Sequence, residues 1–487
     1  MLVVTFVSLF SLPLFYRYLG VEMFALSGYI STVTGLFGFA DLGLGSAVGR
    51  YVGIALGKGD PTAAREYWGT GNLLALPLLA LVGFMFGLLG AVFGPLWFNV
   101  PPENARLLRA CFVVGGLSLF LNSYGLLWNI LSQAHLDFKF VSILRIGVSL
   151  IQVIPSVGIA WATGNPLWIG LWSVFVGVLQ LMVFVWHAGH RYGLDFDLRA
   201  ANRKRAREMA LYTGKTFGTL VMSALSGMID RMVLGKFAPA ADFNPYYICA
   251  NVGGRLQGLG SAVVGPVFHN TSRAIGSGRE TSAAAIYNEM FNFTFGWYLL
   301  AAIGAAVWHS VLLNLWLGDD LGGKVAPLFT PIVVAFCLTG IASVSSSQLG
   351  PLNRMGTSLA FTVATGLLTA AGVYIGWRAG GVVGVAYGFL ASRIMCIAQD
   401  LYVIRMIGAR GWLEARTWLS IVVQGLVGAG FALVYLVFPE NSLWLVLPAV
   451  LHGALVAAWL LRIHLRKLVA GRTLFRSIRA GAPTSRP

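Results

Sequence analysis

The hexapeptide GLGSAV occurs twice in this sequence, at residues 43–48 and at residues 258–263, with an offset of 215 residues. At the same offset, the Leu-Gly pair at residues 19–20 recurs at residues 234–235. A six-residue identity with matching flanks at one offset indicates an internal repeat, because a chance match would not extend to the flanking residues. The sequence therefore predicts two related halves.

The amino-acid composition is that of a membrane protein. Of the 487 residues, 57% are hydrophobic and only 11% are charged, whereas soluble domains contain about 25% charged residues. Glycine and interfacial tryptophan are enriched in polytopic membrane proteins, and this chain has 60 glycines and 15 tryptophans. The composition excludes a soluble multi-domain protein, a disordered chain, collagen and a secreted disulfide scaffold.

Fourteen segments are long and apolar enough to cross a bilayer, which takes about 20 residues each. They lie at residues 1–19, 22–48, 69–94, 108–133, 141–162, 166–187, 211–235, 244–268, 289–316, 326–349, 356–377, 380–402, 416–438 and 442–463. The first segment has no basic start and no small-residue cleavage site, which favours a spanning helix over a signal peptide. The predicted fold class is an all-α polytopic membrane protein with about 14 transmembrane helices.

The distribution of Lys and Arg predicts the orientation. With a cytoplasmic N-terminus, 24 of the 34 basic residues fall on the cytoplasmic side, six fall in outer loops and four fall within spans. Cytoplasmic loops carry such an excess of basic residues, so both termini are predicted to be cytoplasmic. The net charge of +16 is therefore interpreted as a topology signal and as contact with membrane lipids, with no nucleic acid as partner.

The repeat and the span count together predict the domain organisation. Six spans separate the two copies, so both copies enter the membrane in the same direction, which is typical of a parallel transporter repeat. We predict an N-terminal six-helix lobe at 1–190, a basic inter-lobe loop at 191–210, a C-terminal six-helix lobe at 211–403, two extra helices at 404–465 and a basic tail at 466–487. The binding site is expected between the lobes.

Several short motifs connect this chain to a known family. They are RYLG at 17–20, DLGLG at 41–45, GKGD at 57–60, IDR at 229–231, VLG at 233–235, Pro266 and LWLG at 315–318. In this order and at these spans, the chain resembles a polysaccharide (O-antigen or exopolysaccharide) flippase of the multidrug/oligosaccharidyl-lipid/polysaccharide exporter superfamily. The resemblance covers nearly all of the first twelve spans. It implies that the protein moves undecaprenyl-diphosphate-linked oligosaccharides from the inner to the outer leaflet.

Basic residues in or beside the spans are the predicted substrate-binding residues, because intramembrane charges are costly and usually functional. The candidates are Arg255, Arg393, Arg231, Arg17, Lys215 and Arg50. Arg255 is the leading candidate, since it lies about 12 residues, or about 18 Å, into its span and a guanidinium matches a diphosphate bidentately. Gly253 and Gly254 are expected to leave room beside it. The alternatives are a structural ion pair with Asp230 or Asp41 for Arg255, pairing or water contact for Arg393, and snorkelling to headgroups for Arg231 and Arg17. For Lys215 and Arg50 the alternative is the excess of basic residues expected on the cytoplasmic side.

Two acidic residues are candidates for ion coupling. Asp41 lies in the second span and would carry a proton or Na⁺, or would instead cap or pair structurally, which the position favours. Asp230 adjoins Arg231 and would either couple an ion or neutralise that arginine. Asp400 lies at a predicted cytoplasmic helix end and receives no role.

No catalytic or cofactor chemistry is predicted. The seven histidines form no metal-binding motif, the four cysteines have no metal-ligand or redox spacing, and no Walker-type phosphate loop is present. The sequence therefore predicts a protein that is not an enzyme, with no catalytic residue, no metal and no cofactor.

The predicted function is alternating-access flipping of polyprenyl-diphosphate-linked oligosaccharide across a bacterial cytoplasmic membrane. A lipid II flippase stays open as an alternative, as does a cation-coupled drug antiporter of the same superfamily. Such an antiporter would favour net acid in its cavity, whereas here four in-span bases face two acids. Possible protein partners are a polysaccharide polymerase or a glycosyltransferase.

Overall fold

The computed structural model describes residues 2–37, 43–135, 137–193, 200–276, 281–349, 352 and 354–409. Within these ranges the chain forms α-helices and one short 3₁₀ turn, and no strand. Asp41 and the two predicted C-terminal spans lie outside the described residues.

Twelve helices are assigned in the described part of the chain. They are α1 (Leu2–Leu36), α2 (Leu44–Gly57), α3 (Pro61–Trp97), α4 (Ala105–Ala134), α5 (Phe138–Thr163), α6 (Pro166–Tyr192), α7 (Arg203–Phe237), α8 (Ala240–Gly276), α9 (Thr281–Leu317), α10 (Asp319–Leu349), α11 (Met355–Ser392) and α12 (Ile394–Ile407). Helix α7 begins inside the segment that was predicted to be a basic loop, because Asn202 caps it by accepting the Lys204 N–H at 2.9 Å.

Two of these helices are each interrupted by glycine. Helix α1 breaks at Gly20, whose φ is 75°, and α11 breaks at Gly380 and Gly381, with φ of 58° at Gly381. A positive φ is readily adopted only by glycine. The breaks coincide with the short loops predicted between residues 19 and 22 and between residues 377 and 380.

The second predicted span, 22–48, is not one continuous helix. Helix α1 ends at Leu36, and α2 begins at Leu44 after Gly43, which has a φ of 81°. The first GLGSAV copy therefore starts a helix, whereas the second copy lies inside the long helix α8. Two identical hexapeptides thus occupy different backbone contexts.

The described residues include seven helical segments that are long and apolar enough to cross a membrane. Many of their large side chains point outward, such as Leu96 with 77% and Trp161 with 72% exposure. Exposed apolar side chains on such helices are suited to contact with lipid tails. The protein is a multi-pass membrane protein.

Contacts between Cα atoms divide the chain into two compact units. The first unit is Met1–Val252 with Met355–Met395, and the second is Gly253–Arg354 with Cys396–Pro487. This division differs from the predicted lobe boundary at 191–210, and the two-lobe arrangement stays a prediction.

The core of the first unit is built from bulky side chains and from close helix contacts at glycine. Trp68 and Trp128 are fully buried and meet edge to face at 4.7 Å. The two arms of α11 approach backbone to backbone, with Gly372 against Gly388 and Gly376 against Gly384. Small residues permit such close packing in membranes.

The core of the second unit lies between α9 and α10, with residues of α12 packed against them. Tyr287, Phe291, Val344 and Val403 are all fully buried in it. Polar residues are also buried beside this core, among them Ser345 and Asp400.

Candidate functional site

A buried charged cluster lies in the first unit, and we call Asp230, Arg231, Tyr246 and Arg393 the Asp230 cluster. Asp230 has no solvent exposure. The Tyr246 hydroxyl donates to Asp230 Oδ2 at 2.7 Å, and Arg231 Nε lies 3.9 Å from the same oxygen. Helix α8 thus supplies the hydroxyl for a carboxylate on α7.

Arg393 joins this cluster from the turn between α11 and α12. Its exposure is 4%, its Nη2 donates to Thr369 Oγ1 at 2.7 Å, and its Cζ lies 4.3 Å from the centre of the Phe389 ring. Guanidinium groups are stabilised over aromatic faces. Arg231 and Arg393 both interact electrostatically with the Tyr246 hydroxyl.

Positive charge exceeds negative charge within the Asp230 cluster. Two guanidinium groups and one carboxylate occur among its four residues, which is a formal excess of one positive charge within this set. The structure therefore brings together three of the predicted site residues, namely Asp230, Arg231 and Arg393.

Arg255 lies in α8 within the second unit and is half-buried. The space beside Gly253 is filled by the Phe336 ring, whereas a Cβ at Gly254 would meet no atom within 4 Å. Only one of the two glycines therefore leaves room, which corrects part of the expectation from sequence.

The other predicted residues do not join the Asp230 cluster. Arg17 and Arg50 are exposed, and Arg50 lies 5.7 Å from the Tyr51 ring centre. Lys215 belongs to α7, but its side chain is outside the described set, as is the whole of Asp41. Substrate contact by these residues stays a prediction.

Sequence reasoning missed a second buried carboxyl. Asp400 was placed at a helix end, yet α12 continues to Ile407 and Asp400 is only 1% exposed. Ser345 Oγ donates to Asp400 Oδ1 at 2.5 Å, and the Tyr287 hydroxyl lies 2.8 Å from Ser345 Oγ. We call these three residues the Asp400 cluster.

A sequence signal for this second carboxyl existed. Cys396, Gln399, Asp400 and Val403 form the buried face of α12, and their spacing of three and four residues is that of one helix face. Asp400 therefore lies on the buried face of α12. Because Asp400 is close to the predicted end of its span, this burial was not predicted from the sequence.

A third carboxyl, Asp137, ties helices together at the connection between α4 and α5. It accepts from His187 Nε2 at 2.9 Å and from the Tyr192 hydroxyl at 3.1 Å, and it caps α5 through the Phe140 N–H at 3.3 Å. The hydrogen bond from His187 holds the pKa of the Asp137 carboxyl below its ordinary value, although partial burial acts in the opposite direction.

The long apolar helices and the glycine-broken spans define a multi-pass membrane protein. The chain belongs to the polysaccharide biosynthesis protein family, whose profile matches residues 1–272. A search of curated proteins found no significant match.

Several solved structures are similar in fold to this chain. The lipid II flippase MurJ, in an inward closed conformation, is 15% identical with a TM-score of 0.69, covering 96% of this chain and 100% of that one. An inward-facing multidrug resistance MATE family transporter of the MOP superfamily is 15% identical with a TM-score of 0.68, covering 83% and 94%. A MOP superfamily transporter from Pyrococcus furiosus, described as having a binding pocket of reversed polarity, is 16% identical with a TM-score of 0.64, covering 82% and 91%.

Proposed function

We propose that the protein flips polyprenyl-diphosphate-linked oligosaccharides across the cytoplasmic membrane of a bacterium. Membership of the polysaccharide biosynthesis family, matched over residues 1–272, is the observation that carries this proposal. The substrate class, a lipid-linked diphosphate, is inferred from the positive charge of the buried arginines. In this proposal both termini are cytoplasmic, as the Lys and Arg distribution predicts.

The chemistry of the substrate requires buried positive charge. A diphosphate joins the polyprenyl chain to the sugars, and moving an isolated ion into a medium like hydrocarbon costs roughly tens of kcal/mol. Fixed guanidinium groups replace part of the lost hydration and bind phosphate oxygens bidentately. The polyprenyl tail stays in lipid while the sugars pass through a hydrated path.

We assign the direct diphosphate contact to Arg255. It is half-buried, and the backbone at Gly254 leaves open space next to it. Arg231 and Arg393 are 9% and 4% exposed, so their contribution is mainly a positive field. Arg17, Arg50 and Lys215 are proposed to contact the headgroup during uptake and release.

The test is a deletion strain complemented with variants of the gene. Arg255→Ala should lower export of the lipid-linked oligosaccharide by about 10- to 100-fold, since a hydrogen bond to a charged group contributes about 1.5–3 kcal/mol. Mass spectrometry of extracted lipids measures the accumulated substrate, and surface polymer is measured in parallel. Arg109→Ala, which removes an exposed arginine of α4, is the matched control and should complement fully.

Two outcomes would overturn the assignment. If lipid-linked oligosaccharide and surface polymer stay normal in the deletion strain, the protein does not carry this substrate. If Arg255→Ala complements as well as Arg109→Ala, the transport proposal survives and the site assignment fails.

Lipid II is the second candidate substrate. The match to MurJ covers 96% of this chain and all of the other, and lipid II also carries a diphosphate. Accumulation of lipid II in place of other lipid-linked oligosaccharides in the deletion strain would favour it. A change in resistance to cationic drugs, with unchanged glycolipids, would favour a cation-coupled antiporter instead.

A further inference from the structure

Asp400 is buried in the second unit without a basic neighbour. Its exposure is 1%, and among the described Lys, Arg and His residues none forms an ion pair with it. A buried carboxylate with no cation is strongly disfavoured, and such a group usually takes up a proton instead. The carboxyl of Asp400 therefore requires a counter-charge that the described helices do not provide.

The hydroxyl groups of Tyr287 and Ser345 form a hydrogen-bonded chain that ends at the Asp400 carboxyl. Ser345 has one hydroxyl proton, and it donates that proton to Asp400 Oδ1. The contact of 2.8 Å between Tyr287 and Ser345 must then be donated by Tyr287. When Asp400 is protonated, its own O–H can donate to Ser345, and both hydroxyls can reverse direction. The chain is therefore compatible with both protonation states of the carboxyl.

A second buried polar side chain lies next to this chain in α10. Gln348 has no exposure, and its Nε2 and Oε1 make no hydrogen bond to any residue that the structure describes. Gln348 follows Ser345 by three residues, so the two side chains share a helix face. Native proteins rarely leave buried polar atoms unpaired, and this amide is available to a group that changes its hydrogen bonding during the transport cycle.

The charged groups on the surrounding helices leave Asp400 isolated. Tyr287 is the titratable group of α9 that interacts with Asp400. Glu289 of α9, Arg354 after α10 and Arg405 of α12 form no ion pair with it in the described structure, and Arg405 is exposed. Among the residues that the structure describes, none therefore supplies a fixed counter-charge to Asp400.

We propose that Asp400 is a proton-binding site, and that proton uptake at its carboxyl accompanies the burial of α12 against α9 and α10. A proton is added to one carboxylate oxygen on burial and is released to water when the site opens. This makes the transport cycle sensitive to pH. Its link to transport rests on the function proposed above, whereas proton binding itself does not.

The test measures protonation directly and without substrate. Infrared difference spectroscopy of the purified full-length protein between about pH 5 and pH 9, a range in which buried carboxyls titrate, should show a carboxylic C=O band. Asp400→Asn should remove this band, whereas Asp242→Asn, at an exposed carboxyl in the first turn of α8, should keep it. Ser345→Ala should keep the band and move its titration, which covers the case in which Asp400→Asn fails to fold.

Two results would overturn the proposal. The first is a spectrum in which wild type and Asp400→Asn have the same carboxylic band, with Ser345→Ala leaving the titration unchanged. The second is release of the carboxylic signal by Na⁺ at constant pH in wild type only, which would make the site a Na⁺ site. A confirmed band in a protein that fails to flip glycolipid would reject the transport proposal and keep the proton site.

Discussion

Asp230 and Asp400 are both buried carboxyls on membrane helices, but their surroundings differ. Each accepts one hydrogen bond from a hydroxyl, from Tyr246 at 2.7 Å and from Ser345 at 2.5 Å. Arg231 lies beside Asp230, and Arg393 interacts with the same tyrosine, whereas Asp400 has no described basic partner. We therefore interpret the Asp230 cluster as a network of structural charges and the Asp400 cluster as the proposed proton-binding site.

The largest difference in stability between the two clusters is expected when each aspartate is replaced by asparagine. Asp230→Asn should destabilise the protein by about 3–5 kcal/mol, because it leaves the buried Arg231 guanidinium without its adjacent carboxylate. Asp400→Asn should cost less than about 1 kcal/mol, because an amide resembles a protonated carboxyl. Thermal unfolding of the purified variants in detergent measures both effects.

Asp242→Asn is the matched control for these two variants. Asp242 lies exposed in the first turn of α8, and its replacement should change stability by about 0.5 kcal/mol. If Asp400→Asn destabilises the protein as much as Asp230→Asn, the contrast between the two clusters is wrong.

Removing one tyrosine hydroxyl from each cluster should give a smaller difference in stability between the two clusters. Tyr246→Phe should cost about 1.5–3 kcal/mol, because it removes a hydrogen bond to a charged group, and Tyr287→Phe should cost about 1 kcal/mol, because it removes one between neutral groups. Unfolding of both variants at neutral pH tests the ranking. Equal losses would contradict this ranking.

A small, pH-dependent effect is expected at Asp137, a carboxyl at the end of the spans. Its lowered pKa means that its contribution to stability is present above the ordinary carboxyl pKa of about 3.9 and is lost as the pH falls through its folded value. Asp137→Asn should cost about 1 kcal/mol at neutral pH, mainly because the hydrogen bond from His187 no longer ends on a charged group, since asparagine can still cap the helix.

Unfolding measured at successive pH values checks this prediction. The difference between wild type and Asp137→Asn should shrink as the medium becomes acidic below about pH 4. A difference that stays constant down to the lowest pH would show that the charge of Asp137 does not contribute. His187→Gln is the control, since it removes the hydrogen bond partner and keeps the cap.

Sequence reasoning identified three members of the Asp230 cluster, because charges are rare in apolar spans and each one is conspicuous. Of their mutual contacts it anticipated only that Asp230 would neutralise the adjacent Arg231. Tyr246 of α8 completes the cluster, and Thr369 of α11 accepts a hydrogen bond from Arg393. Nothing in the local sequence of these two residues separates them from lipid-facing or packing residues. It also missed Asp400, because a position near a span end resembles a solvated helix terminus.

The sequence by itself determined the membrane class, several of the spans and the breaks at Gly20 and Gly381, since hydrophobic length and glycine conformation are local properties. The tertiary structure decided whether GLGSAV begins a helix, as at Leu44, or lies within one, as in α8. It also decided that Asp230 lies beside an arginine, whereas the described partner of Asp400 is the Ser345 hydroxyl. Those outcomes depend on which helices pack together, and burial and charge pairing arise between segments that are far apart in the chain.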